Sequence, residues 1–162
     1  MKKLKIYLDT SVISHLIAPD VPEKEADTRR LWSEIREGRF DVFISPVVAE
    51  ELERCPEPKR SLLLEYLHKI DFTVLHKNVE VAELTSQYIE AKILRGKSFD
   101  DCQHIAYACV YNCDIILSWN FKHLVNFKTI SGVKAVNSLA GYREMPIYSP
   151  TMLVEGGAYD ET

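Results

Sequence analysis

The stretch "KIYLDTSVIS", Lys5 to Ser14, decides how the rest of the chain is read. An apolar run ends at Asp9, and small hydroxyl residues follow at once. A carboxylate beside a buried run costs free energy unless something pairs with it. Helix capping explains Asp9 poorly, because it ends what reads as a strand, so a partner for it is expected elsewhere in the fold.

Outward from that stretch, short apolar strands alternate with helical stretches. "FDVFIS", "FTVL" and "DIILS" read as strands, and "MPIYS" as an edge strand with Pro146 at its start. Between them, "EADTRRLWSEIREG" reads as a helix closed by Gly38, and "PVVAEELERC" as one opened by Pro46. "KRSLLLEYLHKI", "NVEVAELTSQYIEAKIL" (ending before Gly96), "FDDCQHIAYACVYN" and a last helix, "GVKAVNSLAGY", follow. Strands separated by helices need crossovers, which predicts a three-layer α/β/α domain with a central, mostly parallel sheet of four to five strands. One domain over residues 1–150 is expected, with 151–162 a flexible tail.

Composition narrows the class. The 162 residues are 46% hydrophobic and 27% charged, the balance of a globular protein with its own core. No apolar run approaches a membrane span, and the N-terminus has too short an apolar part for a signal peptide, so the cytoplasm is expected and a membrane partner is not. The net charge of −4 argues against binding nucleic acid through a bulk positive field, though carboxylates that hold metal would themselves make the count acidic. Cys109 and Cys113 stand one helical turn apart with His104 near them, but no CxxC pair is present. Reduced cysteines packed as small hydrophobes are favoured over a zinc site.

In open α/β sheets, chemistry gathers beyond the carboxyl ends of the strands. Asp9 ends the first strand; Glu50 and Glu51 begin the helix after the second; Asp100 and Asp101 begin another; Ser118, Trp119 and Asn120 follow the fourth. Of these, Asp100 is read as a helix cap and Glu50 as solvent-facing. Clustered carboxylates repel unless a cation intervenes, and hard oxygen ligands without a His or Cys set suit Mg²⁺, with Mn²⁺ as the alternative. Such a site can activate water and stabilise the leaving oxygen of a phosphodiester, which makes a nuclease the natural class.

"YLDTSVIS", "ISPVVAEEL", "SFDDCQHIAYA" and "ILSWNFKHL", in this order and spacing, resemble the four motifs of PIN-domain ribonucleases, with the VapC-like toxins as the nearest branch. The resemblance spans about Lys5 to Leu124 and implies a PIN-like fold. It further implies a Mg²⁺-dependent endoribonuclease, the toxin of a type II toxin–antitoxin pair, with RNA as substrate, an antitoxin protein as partner and a homodimer as assembly. Carried over by residue, Asp9, Glu51, Asp101 and Asn120 take the catalytic positions, and Asp9, Asp101 and Glu51 the metal. Asn120 departs from the Asp of many members and puts a second metal in doubt. Thr10, Ser11 and Ser118 would support the site, Ser118 by bonding Asp9.

Around these lie lesser candidates. Lys92, Arg95, Lys97 and Lys122 flank the proposed site, and Arg95, Lys97 and Lys122 are the weak candidates for phosphate contact. Trp119 and Phe121 could stack on bases, but Phe121 is read as core. His104 is read as packed behind the ligands. Three rivals stand beside the nuclease, the weakest being a structural α/β protein whose clustered acids are incidental helix caps. A haloacid-dehalogenase-type phosphatase lacks its second Asp, since Ser11 holds that place. A catalytically weak or inactive PIN-like module that binds RNA or a protein finds its support in Asn120.

Overall fold

The computed structural model describes residues 2–94 and 99–159. Among them, five strands form one sheet: β1 (Leu4–Leu8), β2 (Phe40–Ile44), β3 (Thr73–Val74), β4 (Ile115–Leu117) and β5 (Ile147–Tyr148). Their order is β3-β2-β1-β4-β5, and each neighbouring pair is parallel. β1 is central, so the carboxyl ends of β1, β2 and β4 meet along one edge. Side chains alternate across β1: Ile6 and Leu8 join one core cluster and Tyr7 the other.

Helices cover both faces, as the alternation of elements requires. On the Ile6–Leu8 face pack α1 (Thr10–Ser14), α2 (Pro22–Arg36), α3 (Pro46–Glu53) and α4 (Lys59–Leu67), through Val12, Leu31, Trp32, Val48 and Leu63. On the other face lie α5 (Val79–Glu90), α6 (Phe99–Val110) and α7 (Phe127–Ala140), through Leu84, Ile105 and Val133. This is the three-layer parallel α/β/α arrangement expected.

Several boundaries differ from expectation. α5 stops at Glu90, and Lys92 turns the chain with φ of +52°, so the helix does not reach Gly96. α7 starts five residues before Gly132 because the Asn126 side chain accepts from Thr129 N at 2.9 Å. The residues expected to be a tail from 151 continue as α8 (Pro150–Tyr159). Thr151 donates to Asp27 on α2 at 2.6 Å and Val154 is buried in the first core cluster, and these contacts hold a segment of weak intrinsic helix preference. Among the described residues no helix is long and apolar enough to cross a membrane.

Candidate active site

Asp9 is 3% exposed at the end of β1. It does cap a helix after all: its Oδ1 accepts from Val12 N at 3.2 Å, starting the five-residue α1 that the apolar run concealed. That bond is one of three. Ser11 Oγ donates to Oδ1 and Ser118 Oγ to Oδ2, each at 2.5 Å. The two hydroxyls are fixed in turn, because Ser11 Oγ accepts from Trp119 N and Ser118 Oγ from Asn120 N, at 2.8 and 2.9 Å. The segment after β4 is thereby strapped to Asp9. Burial still dominates and pushes the Asp9 carboxyl above its ordinary range, against the opposing pull of the His104 charge and the two hydroxyls.

Glu51 reaches the same edge from α3. Its Oε1 accepts from Thr10 Oγ1 at 2.8 Å and lies 2.7 Å from His104 Nε2. Because a carboxylate only accepts, Nε2 carries the hydrogen. His104 Nδ1 lies 2.6 Å from the Tyr7 hydroxyl, which lies 2.7 Å from Ser45 Oγ. Burial opposes charge on both Glu51 and His104, yet Glu51 is held below its ordinary range and His104 above its own. For Glu51 the hydrogen bond and charge of His104 outweigh burial; for His104 the Glu51 bond and the Asp9, Glu51 and Asp101 charges do. The two form an ion pair.

Asp101, half-buried in the first turn of α6, completes the group. Burial foremost, and the charges of Asp9 and Glu51, push its carboxyl up, while His104 and His123 oppose them. With His104 protonated, three carboxylates stand against one imidazolium, an excess of two negative charges that a divalent cation matches. Among the described residues, no three His, Cys, Asp or Glu side chains form a ready metal cage. Mg²⁺ needs no such cage, since one or two carboxylates and retained water suffice for it. The donor set therefore fits a hard divalent cation at Asp9 and Asp101, with Glu51 beside them.

The remaining candidates divide. Asn120 is at the site's edge, but its Oδ1 accepts from His123 N at 2.9 Å and so closes the turn after β4. Lys122 is exposed and lines a 270 Å³ cleft with His123 and Lys128, while Arg95 and Lys97 lie outside the described residues. Glu50 is exposed, as expected. Asp100 is not the cap of α6: it lies inside the first turn and pairs with Arg54 at 3.7 Å. Phe121, read as core, is 46% exposed. Cys109 and Cys113 are buried, and the Cys109 sulfur accepts from the Tyr88 hydroxyl at 3.5 Å and from Asn137 Nδ2 at 3.4 Å, the setting of reduced thiols packed in the core.

Sequence reasoning missed two contributors. Tyr7, hidden in the apolar run of β1, orients His104, and only its hydroxyl marked it. The charge of His123 reaches Asp101 across the turn after β4, a proximity that no spacing along the chain reveals.

A parallel α/β/α sheet with carboxylates from three elements at one edge defines the class, and comparison with known proteins names it. The profile of the PIN domain matches residues 6–122, and the chain belongs to that family. Two solved structures are among those that share the fold. VapC20 of Mycobacterium tuberculosis, described as a sarcin-ricin loop cleaving toxin, is 18% identical with a TM-score of 0.56, over 86% of this chain and 97% of that one. VapBC2 of Rickettsia felis, solved bound to a DNA fragment from its promoter, is 12% identical with a TM-score of 0.55, over 90% and 98%. None of the curated proteins matches in sequence.

Proposed function

We propose that the chain is a metal-dependent endoribonuclease acting at Asp9, Glu51 and Asp101, with Mg²⁺ the expected ion and Mn²⁺ an alternative. One observation carries this reading. Asp9 and Asp101, on separate elements, are both pushed above the ordinary carboxylate range at the carboxyl edge of the sheet. A scaffold gains nothing from desolvated like charges held together, whereas a cation site requires them.

When bound, the ion would neutralise phosphate charge and lower the pKa of a water. Asp9 and Asp101 would hold it, and Ser11 and Ser118 fix the orientation of the Asp9 carboxylate. Glu51, clamped by Thr10 and His104, presents a charged oxygen that can orient the attacking water. Lys122, two residues after Asn120 on the exposed turn that Asn120 holds, would meet phosphate. The kinship with VapC folds supports a toxin role, which implies an antitoxin partner, a homodimer and action in the cytoplasm.

Cleavage of a mixed RNA pool with Mg²⁺, with Mn²⁺ and with chelator, beside Asp9→Asn, tests the proposal. Cutting that needs metal and is lost in the variant is expected. No cutting by folded, antitoxin-free protein would overturn it in favour of a binding module. That second reading draws on the Asn120 carboxamide, which is occupied in the turn and adds no charge.

A further inference from the structure

The Phe121 ring is 46% exposed although it lies on a tightly tied turn. Phe121 N donates to Trp119 O at 3.0 Å, and Asn126 Nδ2 donates to Phe121 O at 3.1 Å. Behind it stands Trp119, 5% exposed, with ring centroids 6.2 Å apart and the planes at 61°. Trp119 is itself pinned, since its Nε1 donates to Thr28 Oγ1 at 2.9 Å and His15 packs against it at 5.8 Å. Lys24 lies over both rings, its Nζ 5.1 Å from the Phe121 centroid and 5.6 Å from that of Trp119. Three rings and an ammonium thus form one rigid platform.

Its distance from the carboxylates is fixed. Trp119 N donates to the Ser11 hydroxyl, which donates to Asp9, and Phe121 follows Asn120 directly. Other apolar side chains are more exposed, Leu139 at 93% among them, but among the described residues none has this combination of backing ring, cation and adjacency to the site. An apolar protein side chain would cover the ring and strand the ammonium. A nucleotide uses both, because its base has a flat π-face for the ring and its phosphate a charge for the cation.

We propose that Phe121 and Lys24 form a nucleobase subsite. An unpaired base of single-stranded RNA stacks on Phe121, Lys24 takes the adjoining phosphate, and the next phosphodiester is brought to Asp9. The proposal rests on the ribonuclease reading for the kind of nucleic acid, but its test involves no cleavage.

The probe is a fluorescein-labelled adenosine ribohexanucleotide, bound to the full chain in chelator and followed by anisotropy. Phe121→Ala is expected to weaken binding about tenfold, the loss of one base stack. Phe121→Trp should restore it, and Leu139→Ala should leave it unchanged. Lys24→Ala should flatten the salt dependence by about one ion. An abasic ribose-phosphate hexamer should bind wild type and Phe121→Ala alike. Equal affinity of wild type and Phe121→Ala for the adenosine hexamer, or no binding by wild type, would overturn the subsite and leave the ring to a protein partner. A chain that cuts RNA yet binds the hexamer equally without Phe121 loses this inference alone; one that binds through Phe121 but never cuts loses only the nuclease.

Discussion

His104 Nε2 lies 2.7 Å from Glu51 Oε1 at the core side of the carboxylate group. The other ring nitrogen is tied to Tyr7 of the central strand, so the imidazole works as a strut between the sheet and Glu51. Its charge is also the largest attraction acting on Asp9 and on Asp101. The site thus carries part of its charge compensation within the fold and keeps an excess of negative charge.

Replacing His104 by Gln should separate structure from positioning. The variant takes one partner from the Tyr7 hydroxyl, which keeps Ser45, and from Glu51 Oε1, which keeps Thr10, and it removes the counter-charge of Glu51, a cost of about 2 kcal/mol. For a chain of this length the melting temperature should fall by about 4–8 °C. Metal-dependent cleavage should fall about 10- to 100-fold, the usual effect of removing the group that orients a ligand, with partial recovery at high Mg²⁺. A purely structural role would lower the melting temperature and leave the Mg²⁺ dependence of the folded fraction unchanged, and a Mg²⁺ titration of initial rates distinguishes the two.

Asp101→Asn should stabilise the metal-free protein. Asp101 is half-buried beside the charges of Asp9 and Glu51, so its ionised form is a liability in the folded state. Its folded pKa is raised, so the penalty is absent below the ordinary Asp value, grows as pH climbs through the raised one, and is complete above it. Melting in chelator at neutral pH should therefore shift up by about 1–3 °C, and the gain should fade on acidification. Added Mg²⁺ should raise the wild-type melting temperature and leave the variant's unchanged. A variant that melts lower in chelator would mean that the carboxylate is stabilising as it stands.

Part of this site could be read along the chain and part could not, for physical reasons. The Ser118–Asp9 bond was expected from the resemblance to the PIN motifs, and it forms because β1 and β4 are parallel neighbours, which sends both strand ends to one edge. The local role of Asp9 was not legible, since α1 is only five residues long and its apolar residues continue the pattern of the strand before it. α8 was hidden because its last residues, "EGGAY", have little helix preference of their own, while its start is held by α2, far away in sequence. Phe121 misled for the opposite reason. Large aromatics are usually core, but here Trp119 had already filled the interior beside it.

Two glycines should fail for different reasons. A Cβ on Gly132, inside α7, would lie 2.8 Å from Ile93 Cγ2 and 2.9 Å from its Cβ, and Ile93 is 5% exposed. Gly132→Ala gains about 1 kcal/mol of helix preference but meets about 1–3 kcal/mol of overpacking, so a net loss is expected. Gly141 has open space around it, and its φ of +85° is what excludes a side chain. Asn tolerates that conformation better than Ala, so Gly141→Asn should melt above Gly141→Ala, while Gly132→Asn should melt below Gly132→Ala. Thermal denaturation of the four variants checks the order.

Asn120 can be asked directly what its missing charge means. Its Oδ1 accepts from His123 N, a bond that a carboxylate oxygen makes equally well, so Asn120→Asp should keep the turn. Asn120→Ala removes the acceptor and should cost about 1 kcal/mol, as losing a comparable side-chain cap does. The Asp variant also adds a fourth carboxylate to the group around Asp9. In chelator it should melt below wild type, because the group already carries excess negative charge. With Mg²⁺ the order should reverse, since an added oxygen anion beside the cation strengthens its binding. Calorimetric titration of Mg²⁺ should then show a lower Kd for Asn120→Asp than for wild type. An unchanged Kd with a lowered melting temperature would place residue 120 outside the cation's reach and restrict it to holding the turn that carries Phe121 and Lys122.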